Sequence, residues 1–317
     1  MNQSDAIGRI PRSELIEVPQ GIFARHRAPS FPVFDDRGAL VREAGGRETN
    51  TVFVVRDDAD RLRRYLNANL HQIATAGSVL DQHRAWALHR VLVAETAEML
   101  DRLNERFTPS DLTAALEEAT RFLWKVKEGT KALIRVSHVG QYAPVSHAVR
   151  TSLYAMILAR ATGLRPGDSL MAVALGGIFA DAGKAGMPAA LLERDEGRED
   201  VHWTVLEQHP PRSVELMQKM GVSQIATQQA VLWHHERWDG NGYPDGITGH
   251  SMSFAARCVA IADEYCTLTV VRGRRPALQE FDALQQMTDD TGHFDPELLR
   301  VFVQLIGRSA HQTAAVA

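Results

Sequence analysis

The sequence is poor in cysteine, has no long apolar run and carries no excess of basic charge. Its two cysteines, Cys258 and Cys266, cannot build a disulfide framework across 317 residues, which points to a reducing compartment. A net charge of -4 excludes a chain that coats a nucleic-acid polymer by bulk charge. The longest apolar run, LMAVALGGIFA at residues 170–180, is too short to span a membrane. Asp168 and Asp181 bound it, so it reads as a buried core helix. The opening MNQSDAIGRI has no apolar core of a signal peptide, and a cytoplasmic location is expected. No period of about 20 to 50 residues recurs, which argues against a solenoid. What remains is a globular composition, 44% hydrophobic and 23% charged, long enough for one large core or two domains.

The pattern changes twice along the chain. Residues 1–57 read as a small β-containing unit. DDRG sits there between apolar runs, as in a hairpin, and TVFVV at 51–55 is a β-branched strand candidate. From residue 58 to about 139 the period is helical. Leu62, Tyr65, Leu66 and Leu70 share a face, with Asp58 or Asp60 as N-cap, and Pro109-Ser110-Asp111 opens another helix. Residues 140–317 read as a compact all-helical domain broken at GLRPGD, RDEGRED, DGNGYPDG and RGRRP. The expected fold is therefore mainly α, an all-helical bundle preceded by a small β-containing unit and connecting helices.

Histidine and aspartate collect near the ends of the apolar helices in this last region. His147, Asp181, His209, His234, His235 and Asp263 are candidate metal ligands, since neutral imidazole and carboxylate suit iron, manganese or zinc. The densest stretch is HHERWDGNGYPDG at 234–246. Neighbouring side chains on a helix point about 100° apart, so His234 and His235 can converge on one ion only at a helix end. The loop behind them supplies such an end. Gly240 and Gly242 permit close backbone approach, Pro244 stiffens the exit, and Tyr243 offers a ring to stack. An ordinary helix-terminating loop would explain the glycines but not the paired histidines.

HHERWDGNGYP resembles the signature of HD-GYP domains, which hydrolyse the bacterial second messenger cyclic di-GMP. The resemblance runs from about residue 140 to 308, through ADAGKAGMP, LEQHPPRSVELM, AIADEYCTLTVVRGRRPAL and GHFDPELLRVF. It implies an all-α HD domain holding two or three ions, usually iron or manganese. Matched position by position, it makes His147, Asp181 and Asp263 ligands of a first site. Asp181, His209, His234 and His235 then make a second site, and Lys184 contacts the phosphate. Bound ions would polarise the phosphodiester and activate water. Arg237, Arg272 and Arg275, with Gly242, Tyr243 and Pro244, are candidates for contacting the nucleotide; each arginine also reads as a solvated surface charge.

The chain departs from the family pattern at the HD pair itself. Ala180 stands where that pair has its histidine, and alanine cannot ligate. Ala143 stands where some members have a glutamate for a third ion, and Cys266 stands where an aspartate is usual. The expectation is one well-bound ion beside a weakened second site. Two readings follow: a phosphodiesterase with reduced turnover, releasing pGpG or GMP, or a domain that binds cyclic di-GMP or a partner protein without cleaving it. An HD phosphohydrolase acting on another nucleotide is the weaker third. The GYP loop could also serve signalling partners, and the helices of 58–139 could dimerise.

Overall fold

The structure is a computed structural model describing residues 10–23, 29–36, 39–41, 51–105, 108–137, 143–188, 201–273 and 275–314. The expected break at 194–200 lies outside the described residues. The chain divides into two compact units: residues 1–94 with 117–136, and residues 95–116 with 137–317.

In the first unit, β1 (Leu15–Pro19) pairs antiparallel with β2 (Thr51–Val55). TVFVV is thus a strand as expected, burying Val52 and Val54 on one face by the period of two. Its partner, LIEVP, has no marked alternation in the sequence, and pairing supplies what propensity does not. Another antiparallel contact flanks Asp35 and Ala39. Phe34 bridges Leu40, and the Asp35 carboxylate accepts the Ala39 amide at 2.8 Å. Helix α1 (Ala59–Thr75) buries Leu62, Leu66, Leu70 and Ile73, and Tyr65 meets Phe23 and Phe31 edge-on or tilted. Asp58 precedes α1 but its carboxylate pairs with Arg61 and accepts no helix amide.

Helices α2 (Asp81–Asp101), α3 (Ser110–Lys125) and α4 (Gly129–Ser137) follow, and α3 opens at the Pro-Ser-Asp signal. The second unit then holds α5 (Pro144–Ala161), α6 (Asp168–Phe179), α7 (Val201–Leu206), α8 (His209–Lys219), α9 (Ile225–Leu232), α10 (Phe254–Leu268), α11 (Glu280–Asp289) and α12 (Pro296–Ala314). The architecture is mainly helical, as expected. No helix among the described residues is long and apolar enough to cross a membrane.

Helix α6 is the axis of this bundle. The apolar run at 170–180 forms it and is buried except for the half-buried Met171, packing on α5, α9 and α10. Two glycines let these helices approach. A Cβ on Gly177 would lie 2.5 Å from Ser152 Cα of α5, and one on Gly176 would lie 2.6 Å from the Ala230 side chain of α9. Both contacts are shorter than packed carbons tolerate. The close packing carries the C-terminal end of α6, with Asp181 just beyond it, into the space between α5, α8 and α10. Gly177→Ala is therefore expected to destabilise the protein by about 1–3 kcal/mol, seen as a lower urea midpoint at unchanged slope.

Candidate metal centre

Each candidate ligand stands at the end of a helix or on the inner face of one. His147 lies in the first turns of α5, Asp263 on α10, and His209 opens α8. Asp181 follows α6 and begins a 3-10 turn, Ala182–Lys184. Helix α9 ends at Leu232, so His234 and His235 lie beyond it, as their adjacency required. The turn after Asp181 is fitted tightly to α8. A Cβ on Gly183 would fall 2.2 Å from the His209 carbonyl, and the Gly183 amide donates to Ser213 Oγ at 2.7 Å. Ser213 in turn donates to the Ala180 carbonyl at 2.8 Å.

Two clusters result, and Asp181 belongs to both. Asp181, His209, His234 and His235 form one; His147, Asp181 and Asp263 form the other. All six predicted ligands are thereby brought together. Ala180 is buried beside them without a donor atom.

The imidazole hydrogens can be placed in the first cluster. His209 Nδ1 lies 2.7 Å from the Leu206 carbonyl, and His234 Nδ1 lies 2.7 Å from the Val231 carbonyl. A carbonyl only accepts, so each Nδ1 carries the hydrogen and each neutral ring leaves Nε2 bare. These two bare nitrogens face each other at 3.2 Å, with Asp181 Oδ1 at 3.3 Å and 3.8 Å. His235 Nε2 is buried close by without a hydrogen-bond partner. Burial, followed by the Lys184 charge, lowers the His209 pKa to about 4, so the His209 ring is neutral near neutral pH. Burial and the adjacent His234 hold His235 well below its usual range. Converging lone pairs and a carboxylate repel one another unless a cation lies among them, and this donor set suits a divalent first-row ion.

The second cluster is different. His147 Nε2 is hydrogen-bonded to Asp263 Oδ1 at 2.8 Å, and Asp181 Oδ2 is 3.7 Å away. Burial alone would raise the Asp263 pKa, but the His147 contact outweighs it and the carboxyl lies below its usual value. Imidazole and carboxylate therefore satisfy each other here. Burial acts on Asp181 in the same direction, yet Lys184 beside it, with His209 and His234, holds it well below the carboxylate range. Lys184 Nζ lies 2.7 Å from Asp181 Oδ1.

The loop from 236 to 249 walls this centre. Tyr243 stacks on His235, with ring centroids 4.8 Å apart and planes 20° apart, and its amide donates to the His235 carbonyl. A Cβ on Gly242 would meet Arg237 N at 2.4 Å and Glu236 Cα at 2.5 Å, so this glycine is required by close approach. The peptide bond before Pro244 is cis. Glu236, buried, accepts the Asp245 and Gly246 amides at 2.7 Å and 3.0 Å. Sequence reasoning assigned Glu236 no role, although its place as the third residue of HHE was the available signal.

The three arginines are placed differently. Arg237 lies between Asp239 and Asp290. Arg275 donates to the Thr267 carbonyl, and its backbone pairs with that of Arg272 across the RGRRP turn. Glu264 lies near Arg275 and Arg272; burial first, then Asp263, raises its pKa to about 7. Cys266 is buried, and burial raises its thiol to about 11. Ala143 lies at the exposed entry to α5.

Residues 135–298, just over half the chain, match the HD-domain family. The chain is 25% identical to a cyclic di-GMP phosphodiesterase of Pseudomonas aeruginosa, over 71% of its own length and 54% of the relative's. It is 30% identical to a cyclic di-GMP phosphodiesterase response regulator of Xanthomonas campestris pv. campestris, over 80% of itself and 62% of the relative. A 3'3'-cGAMP-specific phosphodiesterase of Vibrio cholerae is 27% identical, over 50% of this chain and 31% of that protein. The chain spans about half the length of the curated relatives it matches. In fold it is similar to an HDG"Y"P protein from Bdellovibrio bacteriovorus, with a TM-score of 0.66 and 15% identity, covering 92% of this chain and 99% of that one. With an HD domain, a GYP loop and these relatives, the chain belongs to the HD-domain family in its HD-GYP form.

Proposed function

We propose that this protein hydrolyses cyclic di-GMP in a metal-dependent reaction, at a rate limited by an incomplete metal centre. The observation that carries this reading is the pair of bare imidazole nitrogens, His209 Nε2 and His234 Nε2, facing each other at 3.2 Å beside Asp181 and the GYP loop. Relatives that bear the name of cyclic di-GMP phosphodiesterase support the substrate.

Asp181, His209, His234 and His235 would hold one ion, iron or manganese by their chemistry. His147, Asp181 and Asp263 would hold a second weakly, because Ala180 supplies nothing and His147 is engaged with Asp263. Bound ions supply Lewis acidity and a hydrolytic water at neutral pH. The protein's own groups then do the rest. The Lys184 ammonium, fixed by Asp181, puts positive charge where the phosphodiester gains negative charge. Tyr243 holds the His235 ring by stacking on it, and Arg272 and Arg275, whose backbones pair with each other, are candidates for the nucleotide's phosphates or guanine edges. Residues 1–57, with the helices that follow to 139, are read as the signal-receiving part, in a cytoplasmic protein able to dimerise through those helices.

Ala180 and Cys266 favour a second reading, a domain that binds cyclic di-GMP or a signalling partner without cleaving it. Turnover separates the two. Protein prepared with Fe(II) or Mn(II) is expected to hold about one ion per chain by elemental analysis. It should convert cyclic di-GMP slowly to pGpG or GMP by chromatography, and His235→Ala should abolish both metal and turnover. Tight nucleotide binding without product would select the second reading, and neither binding nor product would refute both. Ala180→His is expected to raise metal content toward two per chain and turnover by about tenfold or more; an unchanged rate would place the limit elsewhere. Removing metal from wild type with a chelator is expected to lower the melting temperature, since the ion binds the folded state alone.

A further inference from the structure

Arg237 stands two residues after the paired histidines, where a free guanidinium would suit a phosphate. Its donors are instead committed. Nε reaches Asp239 at 3.2 Å and 3.4 Å, Nη1 reaches Asp290 Oδ2 at 3.2 Å, and Nη2 reaches Asp239 Oδ2 at 3.2 Å and Asp290 Oδ1 at 2.9 Å. Two carboxylates around one guanidinium leave a net negative charge. An approaching phosphate would meet acid rather than free base, and would have to displace charge-assisted hydrogen bonds to reach Arg237.

The partners explain what the arrangement holds. Asp290 follows α11 and lies in the turn before α12, far along the sequence from the loop. That turn is stitched to the loop by backbone as well. Trp238 N donates to the His293 carbonyl at 2.8 Å, and Asp239 N donates to the Gly292 carbonyl at 2.9 Å. Gly292 has φ +85°, and a Cβ there would strike the Asp239 carboxylate at 2.8 Å. His293 Nδ1 lies 2.8 Å from Asp290 Oδ2, so one carboxylate joins Arg237 and His293. From this anchor the connection runs inward. Asp239 Oδ1 accepts the Asn241 amide, Gly242 folds over residues 235–237, and Tyr243 stacks on His235. Exposed ion pairs contribute little singly, but a planar guanidinium held by two carboxylates, with only 14% of the side chain exposed, is a fixed network.

We infer that Arg237 is a positioning residue: with Asp290 it clamps the 236–249 loop to the turn before the last helix, and it does not bind the nucleotide. This rests on reading the loop as one wall of the cyclic di-GMP site. The test compares Arg237→Ala, Arg237→Lys and Asp290→Ala with wild type in the full-length, Mn(II)-loaded protein. Amide hydrogen exchange of residues 236–249 and the KM and kcat for cyclic di-GMP are measured. Both alanine variants are expected to speed exchange of the loop and to raise KM by the same factor, about tenfold, with a smaller change in kcat. Lysine, a point charge that cannot span two carboxylates, is expected to behave like alanine. A phosphate contact predicts the opposite pattern: Asp290→Ala leaves KM unchanged or lowers it, and Arg237→Lys restores much of the loss. That pattern, with loop exchange unchanged, would overturn the inference. Should wild type neither bind nor cleave cyclic di-GMP, the functional reading fails on its own. The exchange comparison then decides the clamp, with unchanged exchange in both alanine variants counting against it.

Discussion

The Asp181 carboxylate is the constraint on which the centre depends. One oxygen faces His209, His234 and Lys184, while the other faces His147. Nearly buried, it stays ionised because Lys184 and the imidazoles outweigh the desolvation that burial imposes. Both halves of the centre share it, so neither can be altered independently. The packing of α6 serves this one group. Gly176 and Gly177 bring neighbouring helices within van der Waals contact of its backbone, and Gly183 lets the following turn lie directly on α8. Carboxylate position is thus fixed by backbone against backbone, with little side-chain freedom between.

The two halves differ in what they lack. Around His209 and His234 each Nδ1 is taken up by a backbone carbonyl, and the two Nε2 atoms converge. Around His147, imidazole and Asp263 complete each other by hydrogen bond. The half that contains no donor at Ala180 is the one whose imidazole and carboxylate already pair with each other. The other cluster takes its four donors from three separate segments: the turn after α6, the start of α8 and the stretch just past the end of α9.

Much of this was legible in the sequence, for physical reasons that apply unevenly. The apolar run at 170–180 had to be a buried helix, and adjacent histidines had to lie past a helix end; both follow from backbone geometry. The strand at 51–55 was visible through its β-branched residues, whereas its partner at 15–19 has an ordinary composition and becomes a strand by pairing. The six candidate ligands stand out because residue type and helix ends coincide, and the fold gathers them into two clusters. The environment of Arg237 was not, since Asp290 lies 53 residues away and no local pattern joins them. Glu236 and Ser213 escaped for the same reason: their work is done on backbone amides and carbonyls, which a sequence does not distinguish.

The two hydrogen bonds that fix the imidazole tautomers have a wider consequence. His209 and His234 each sit three residues past the carbonyl they use, Leu206 at the end of α7 and Val231 near the end of α9. A helix always leaves its final carbonyls without an internal partner. The proton inventory of the metal site is therefore written into helix length, not into any side chain. No substitution at 206 or 231 that preserves the helix removes the acceptor, whereas adding or deleting one residue between helix end and histidine would. The tautomers of these two imidazoles are thus set by backbone carbonyls and do not depend on which side chains surround them.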